Sequence, residues 1–347
     1  AWRDRKPCAG YVAEGLVDGV AWSRRIKGKD GKVYRLPDRP EDSQIEKEED
    51  DPTLGLALFV RDDGVIALTH FSAHPTVVQV NDLISADYPG ALTEFLETHL
   101  HGCLSCSFLQ GACGDVNPFY QTTSDFEDVR LYGQALGAEA LKQANLLLLH
   151  HRHGWGSGKG MHLLTKNRSW KCAYLEPVLS CAAERMILPP RSDVPDGAQL
   201  EEEFQEELSQ VKGAWWWMRA DQPLTEQQKL QGQRVLIAWN RWQASLRLKD
   251  ERNRTVEVQV LRLGPLGLVG VSGELFVGPG LRIRHFSPLP FTWVVGYANG
   301  YAGYLVDWGA FAAGGYEVSL GPWTVCGDGS GEMVADKALD LLKQTVQ

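Results

Sequence analysis

Between Leu54 and Leu68 two β-rich runs, Leu54 to Val60 and Val65 to Leu68, stand on either side of Arg61-Asp62-Asp63-Gly64. An Asp-Gly pair between such runs is a strong hairpin signal, because both residues tolerate the positive φ of a tight turn. The exit strand runs on through His70 and His74 into Pro75, so an extended backbone delivers two histidines to the point where the ladder stops. Helical periodicity with a proline near its start follows over Pro89 to His101. A buried strand over Cys103 to Leu109, a Gly111 to Pro118 turn and a helix from about Asp125 to His150 come next. Strand, helix, strand, loop, helix predicts an α/β core: a mixed, partly parallel sheet flanked by helices.

The residues before the hairpin read as an irregular lead-in, with a hairpin loop around Gly28 and an acidic patch from Glu41 to Asp51. Residues 165 to 185 read as one strand. The charged, Gln-rich span from Gly197 to Trp242 predicts two antiparallel helices broken near Pro223, an insertion over about 197–245 in a single domain spanning 1–347. Trp215, Trp216 and Trp217 are expected to pack onto the sheet, since adjacent helical residues point in different directions and cannot share one cleft wall. Strands return over Thr255 to Leu263 and Leu266 to Val271, the second ending in Ser272-Gly273-Glu274. A short strand, Trp293 to Val295, leads into a Tyr- and Gly-rich loop through Tyr301, Tyr304 and Tyr316, and an amphipathic helix, Ala335 to Val346, closes the chain.

With 347 residues, 44% of them hydrophobic, the chain can bury a sizeable core. A net charge of −9 argues against a nucleic-acid partner, because the basic block from Trp22 to Lys29 is short and offset by acidic residues soon after. No run of about 20 apolar residues is present to span a membrane. Seven irregularly spaced cysteines do not read as a disulfide framework and favour a reducing, cytoplasmic compartment. Cys103 and Cys106 have redox or zinc-knuckle spacing but no second such pair, and His150 to His153 reads as a solvated helix end. The Gly154 to Gly160 run lacks the Lys-Ser/Thr of a phosphate loop. A thiol enzyme using Cys113 is the weaker reading, since the carboxylate of Asp115 would raise a thiol pKa.

Taken together, His74 after a strand, Glu274 after a strand and the Tyr-rich loop about 30 residues later resemble the neutral ceramidase family of zinc amidohydrolases. The resemblance runs in order from Arg24-Arg25 to the last helix. That family follows its zinc-binding His with a Ser-Asp-Asn/Tyr turn, a Gly-Asp-Val-Ser-Pro loop, a Pro-Gly-Glu motif and an Asn-x-Tyr-x-x-Tyr loop ahead of Tyr-Glu. Here the corresponding residues are Ser85 to Tyr88, Gly114-Asp115-Val116-Asn117-Pro118, Ser272-Gly273-Glu274, Asn299 to Tyr304, and Tyr316-Glu317.

The resemblance implies a Zn²⁺ cofactor held by His74, Glu274 and Tyr304, with the Tyr316 hydroxyl stabilising the oxyanion and Asp115 and Asn117 in the catalytic loop. Such a zinc polarises a carbonyl and lowers the pKa of a bound water to about 7. The implied activity is hydrolysis of an amide bond in a small-molecule N-acyl substrate. The alternatives are a non-catalytic ceramidase-like binding protein and a zinc hydrolase of ester or glycosidic bonds. Two departures stand out. Asn117 replaces the family's serine, and an amide cannot serve as nucleophile. The family's first zinc motif, Thr-His-Thr-His-Ser, is absent, so a missing N-terminal portion, either a separate fragment of the same precursor or a trimmed stretch of the same polypeptide, is expected to supply a further imidazole. His70 cannot replace it, since residues i and i+4 of an extended strand lie about 13 Å apart.

Overall fold

The computed structural model describes residues 5–34, 38–79, 83–118, 123–154, 170–211 and 225–347. The chain opens with β1 (Ala9–Leu16), followed by the short strands β2 (Ala21–Ser23), β3 (Ile26–Gly28), β4 (Val33–Tyr34) and β5 (Ile45–Lys47). The lead-in is therefore not irregular. Six consecutive residues of β1 are buried, Glu14 among them, because the strand is covered on both faces and shows no polar alternation. The expected turn near Gly28 is present, with β3 and β4 paired and Gly31 at φ 81° between them.

The hairpin consists of β6 (Thr53–Arg61) and β7 (Gly64–Phe71), with Arg61 opposite Gly64. Next come α1 (Asp87–His99), β8 (Cys103–Gln110), β9 (Val116–Pro118), α2 (Phe126–Arg152) and β10 (Trp170–Tyr174). They complete a five-stranded sheet of order β10-β1-β6-β7-β8, antiparallel except for β7 and β8, which run parallel across α1. As the edge strand, β8 leaves Leu104 48% exposed, so it is not the buried strand its apolar residues suggest. The end of α2 is not simply solvated: His150 is buried and His151 Nδ1 lies 2.8 Å from the Tyr11 hydroxyl.

The strand expected over 165–185 is two strands. Its first five residues lie outside the described set, β10 belongs to the first sheet, and β11 (Leu179–Ile187) starts a second one. The break falls around Pro177, which has no N–H to give a ladder. The helices α3 (Gly197–Ser209) and α4 (Glu226–Leu248) are antiparallel: Arg241 pairs with Glu203 at 3.1 Å, and Gln231 Nε2 donates to the Gln210 carbonyl at 2.8 Å. Trp215 to Trp217 and Pro223 lie outside the described residues.

The second half continues with β12 (Thr255–Leu263), β13 (Leu266–Val271), β14 (Glu274–Leu275), α5 (Val277–Phe286) and β15 (Phe291–Val295). It ends with β16 (Tyr304–Leu305), α6 (Ala310–Ala313) and α7 (Ser330–Gln344). The second sheet has the order β11-β12-β13-β15, with β13 and β15 parallel across α5. Val12, Ala57, Phe291 and Trp293 pack between the two sheets. Leu92, Leu96 and Leu136 of α1 and α2 cover the outer face of the first sheet, and Ile283, Val334 and Leu342 of α5 and α7 cover the second. The result is a mixed α/β fold in four layers, helix, sheet, sheet, helix. Gly55 serves this packing directly, since a Cβ there would meet the Trp293 ring at 2.5 Å. Among the described residues no helix is long and apolar enough to cross a membrane.

The path β6-β7-α1-β8 is repeated by β12-β13-α5-β15: hairpin, crossover helix, parallel strand. His74 stands three residues beyond Phe71, the last of β7, and Glu274 three beyond Val271, the last of β13. Both thus sit where a strand's carboxyl end turns toward a crossover, the place where α/β sheets open a crevice.

Candidate active site

His74 is fixed before its ring does anything. Its N–H donates to the Val116 carbonyl at 2.9 Å, and the preceding Ala73 carbonyl accepts from the Tyr88 hydroxyl at 2.6 Å and Gln110 Nε2 at 2.8 Å. Asp87, in a left-handed conformation at φ 51°, takes the N–H groups of Val77 and Val78 and so closes the turn after Pro75. Glu274 is placed by the parallel pairing of β14 with β16, which sets it opposite Tyr304. Its N–H donates to the carbonyl of Gly303, a glycine at φ 79° whose Cβ would strike the Trp323 carbonyl.

These two turns bring His74 Nε2 to 3.4 Å from Glu274 Oε2, both side chains being almost inaccessible to solvent. His74 Nε2 nonetheless has no hydrogen-bond partner. Burial, reinforced by the Arg24 cation, pushes the imidazole down to about 3, so the ring is neutral. On its other side Nδ1 meets the Tyr297 hydroxyl at 3.3 Å and Cys113 Sγ at 3.6 Å. Burial raises the Glu274 carboxyl above the usual range, opposed by hydrogen bonds from Tyr301, Tyr297 and Tyr304. The Tyr304 ring meets His74 edge-on at 6.4 Å, and burial keeps its phenol protonated although Arg24 pulls the other way.

Arg24 is the residue that sequence reasoning passed over. The three-residue ladder of β2 with β9 lays Trp22 against Asn117, and the Arg24 N–H reaches the Asp115 carbonyl at 2.8 Å. From there its guanidinium donates to the Tyr304 hydroxyl at 2.8 Å, the Gly114 carbonyl at 2.7 Å and Asn117 Oδ1 at 3.3 Å. It also lies 5.7 Å from the centre of the Tyr316 ring. Buried Glu317 holds Arg24 at 2.6 Å and Arg25 at 2.8 Å. Only the run of two arginines marked this position in the sequence.

The expected residues are gathered unevenly. His74, Glu274 and Tyr304 meet directly, while Tyr316 joins through its ring contact with Tyr304, 6.2 Å between centroids, and stands half exposed at the rim. Asn117 is buried and reaches the group through Arg24, with its Nδ2 unpaired. Asp115 turns elsewhere: it accepts the Val277 N–H of α5 at 2.7 Å and lines a separate cavity of about 160 Å³ with Arg25, Lys47 and Asp307. Burial pushes its carboxyl up to about 7. His70 also stays apart, its Nε2 donating to the Val294 carbonyl at 2.8 Å and its ring stacked on Trp293. Burial holds the Cys113 thiol up at about 12, so it is no thiolate nucleophile. Among the described residues no three His, Cys, Asp or Glu side chains gather to hold a metal ion; the third candidate ligand is the phenol of Tyr304.

No protein-family model and no curated protein matches the chain in sequence. Solved structures do match. The neutral ceramidase of Pseudomonas aeruginosa aligns with a TM-score of 0.58 at 19% identity over 97% of this chain and 52% of that one. A ceramidase complexed with C2 aligns with a TM-score of 0.59 at 18% identity over 97% and 53%. The chain spans about half the length of these structures and shares their mixed α/β fold.

Proposed function

We propose that this chain carries the active site of a zinc-dependent hydrolase that cleaves an amide bond in an N-acyl substrate. The observation that carries the reading is the gap between His74 Nε2 and Glu274 Oε2. A neutral, unpaired imidazole nitrogen facing a carboxylate oxygen at 3.4 Å sets a lone pair against an anion, an arrangement that asks for a cation between them. Two ligands each about 2.0–2.2 Å from a tetrahedral ion lie roughly 3.3–3.5 Å apart, so the spacing fits zinc. Tyr304 would be the third ligand. When bound, zinc supplies Lewis acidity toward a carbonyl and an acidified water.

The remaining residues act around that centre. The Arg24 cation, held by Glu317, presents fixed donors beside Tyr304 and Tyr316, where charge developing on a carbonyl oxygen would be stabilised. Tyr316 has its phenol raised above the usual range by burial and keeps its proton, so it can donate to that oxygen. Asn117, tethered to Arg24, orients substrate or water and forms no covalent intermediate. The ceramidase fold points to an N-acyl amine as substrate class, while the missing serine makes ceramide itself a poor expectation. Asn117 in the serine position, which offers no nucleophile, favours, as a second reading, a protein that binds such an amide without cleaving it.

The test is turnover of a panel of N-acyl amines, peptides, esters and glycosides by the metal-loaded protein, with and without chelator. Chelator-sensitive release of an amine supports the proposal. Metal uptake with binding but no turnover supports the second reading, and failure to take up any transition metal rejects the zinc site.

A further inference from the structure

We propose that Tyr297 and Tyr301 are positioning residues: a stacked pair of phenols that holds His74 and Glu274 from the solvent side and thereby sets the metal affinity of the site. The inference rests on reading His74 and Glu274 as metal ligands. The two tyrosine rings are parallel, with centroids 6.1 Å apart and planes within 4°. The Tyr297 hydroxyl lies 3.3 Å from His74 Nδ1, and the Tyr301 hydroxyl donates to Glu274 Oε1. The Tyr297 hydroxyl thus faces Nδ1, which Cys113 Sγ also approaches at 3.6 Å, and the Tyr301 hydroxyl occupies Oε1, so each phenol meets an atom of its partner that does not face the gap. A proton on His74 Nδ1, accepted by the Tyr297 oxygen, leaves Nε2 with its lone pair; Tyr301 on Oε1 leaves Oε2 turned toward Nε2. The pair chooses which nitrogen and which oxygen meet.

The backbone is shaped for this placement. Tyr297 has φ 57° and Asn299 φ 64°, left-handed conformations that side-chain-bearing residues seldom adopt. The loop is tied down on both sheets. The Gly296 N–H donates to the Gln110 carbonyl at 3.0 Å, Tyr297 to Gly273 at 3.1 Å and Ala298 to Val271 at 3.0 Å. Asn299 Nδ2 donates to Glu257 Oε1 at 3.0 Å, and the Arg247 guanidinium lies 6.0 Å from the Tyr301 ring centre. Such anchoring spans the ends of β8 and β13, the strands that flank the candidate ligands.

Phenylalanine at either position keeps the ring and its stacking and deletes only the hydroxyl. The experiment measures Zn²⁺ affinity by chelator competition for wild type, Tyr297→Phe, Tyr301→Phe and the distant control Tyr34→Phe. It adds the ¹⁵N NMR signature of the His74 tautomer and the melting temperature of the metal-free proteins. We expect affinity to fall about 10- to 100-fold in each site variant, as when a partner of a ligand is removed, with metal-free melting unchanged. The Nδ1-protonated tautomer should lose its dominance in Tyr297→Phe alone. Wild type that binds no zinc would overturn the ligand assignment and this inference together. Wild-type binding with both variants within twofold of it would overturn the inference and leave the ligand assignment standing. Weakened affinity accompanied by lowered metal-free melting would also overturn it, by reducing the tyrosines to packing.

Discussion

Glu317 Oε1 lies 2.6 Å from Arg24 Nε, in an ion pair that solvent barely reaches. Its other oxygen receives Arg25 Nη1 at 2.8 Å, so one carboxylate sets the direction of two adjacent guanidiniums. Replacing Glu317 with Gln leaves two cations buried with a neutral partner. Breaking a buried pair in this way costs about 3–5 kcal/mol, and denaturant unfolding should show a loss of that order. Turnover should fall as well, because Arg24 would no longer be held against Tyr304. Unchanged stability would mean that water replaces the carboxylate.

A second prediction concerns the metal. Wild type should take up one Zn²⁺ with a rise in melting temperature that grows with zinc concentration. His74→Ala and Glu274→Gln should each weaken binding by more than about 100-fold, beyond the loss expected when a mere supporting group is removed. Competition titration against a chromogenic chelator measures this directly. Equal affinity in all three proteins would place the metal, if any, elsewhere.

Much of the fold was legible because its signals are local. The Asp63-Gly64 turn fixes the first hairpin, and the runs Thr255 to Leu263 and Leu266 to Val271 give two further strands with their ends intact. β1 escaped notice because it is covered on both faces and contains buried Glu14, which a reader takes for a surface residue. Glu14 is tolerated there since Trp293 Nε1 donates to it at 3.0 Å and Arg284 lies 3.6 Å away. The candidate ligands could be found from their place after strands. Arg24 could not, since its role arises from a three-residue ladder between segments about 90 residues apart. Nor could Tyr297, whose reach to His74 depends on a left-handed backbone that no spacing rule signals. Asp115 had the right neighbours in sequence, but its carboxylate went to the first N–H of α5.

That carboxylate gives a pH dependence with a definite sign. Asp115 keeps its proton in the folded state up to about 7, whereas an unfolded aspartate releases it near pH 4. Between those values the folded protein binds more protons. Its contribution to stability is therefore full below about pH 4 and lost as pH rises toward 7. Asp115→Asn removes the titrating group while retaining an oxygen for the Val277 N–H. In metal-free protein the variant should gain on wild type by an amount on the order of 1–3 kcal/mol between pH 4.5 and pH 7.5. A difference that stays flat across this range would show that Asp115 ionises normally in the fold.

The last prediction separates a helper from a nucleophile. Asn117 Oδ1 accepts from Arg24 at 3.3 Å, a long contact to a charged donor, and its Nδ2 is buried without a partner. Asn117→Ala gives up a hydrogen bond worth about 1–2 kcal/mol and also removes an unsatisfied donor. Metal-free stability should therefore change little, and kcat should fall about 5- to 30-fold, since each 1.4 kcal/mol on a barrier is a factor of ten. Glu274→Ala, which removes a candidate metal ligand, should reduce turnover to background. Steady-state kinetics on the best N-acyl substrate, with both variants saturated in zinc, compares the two. Were Asn117→Ala as inactive as Glu274→Ala, the amide would be essential to the reacting geometry, and activated water aided by Arg24 and Tyr316 would not suffice.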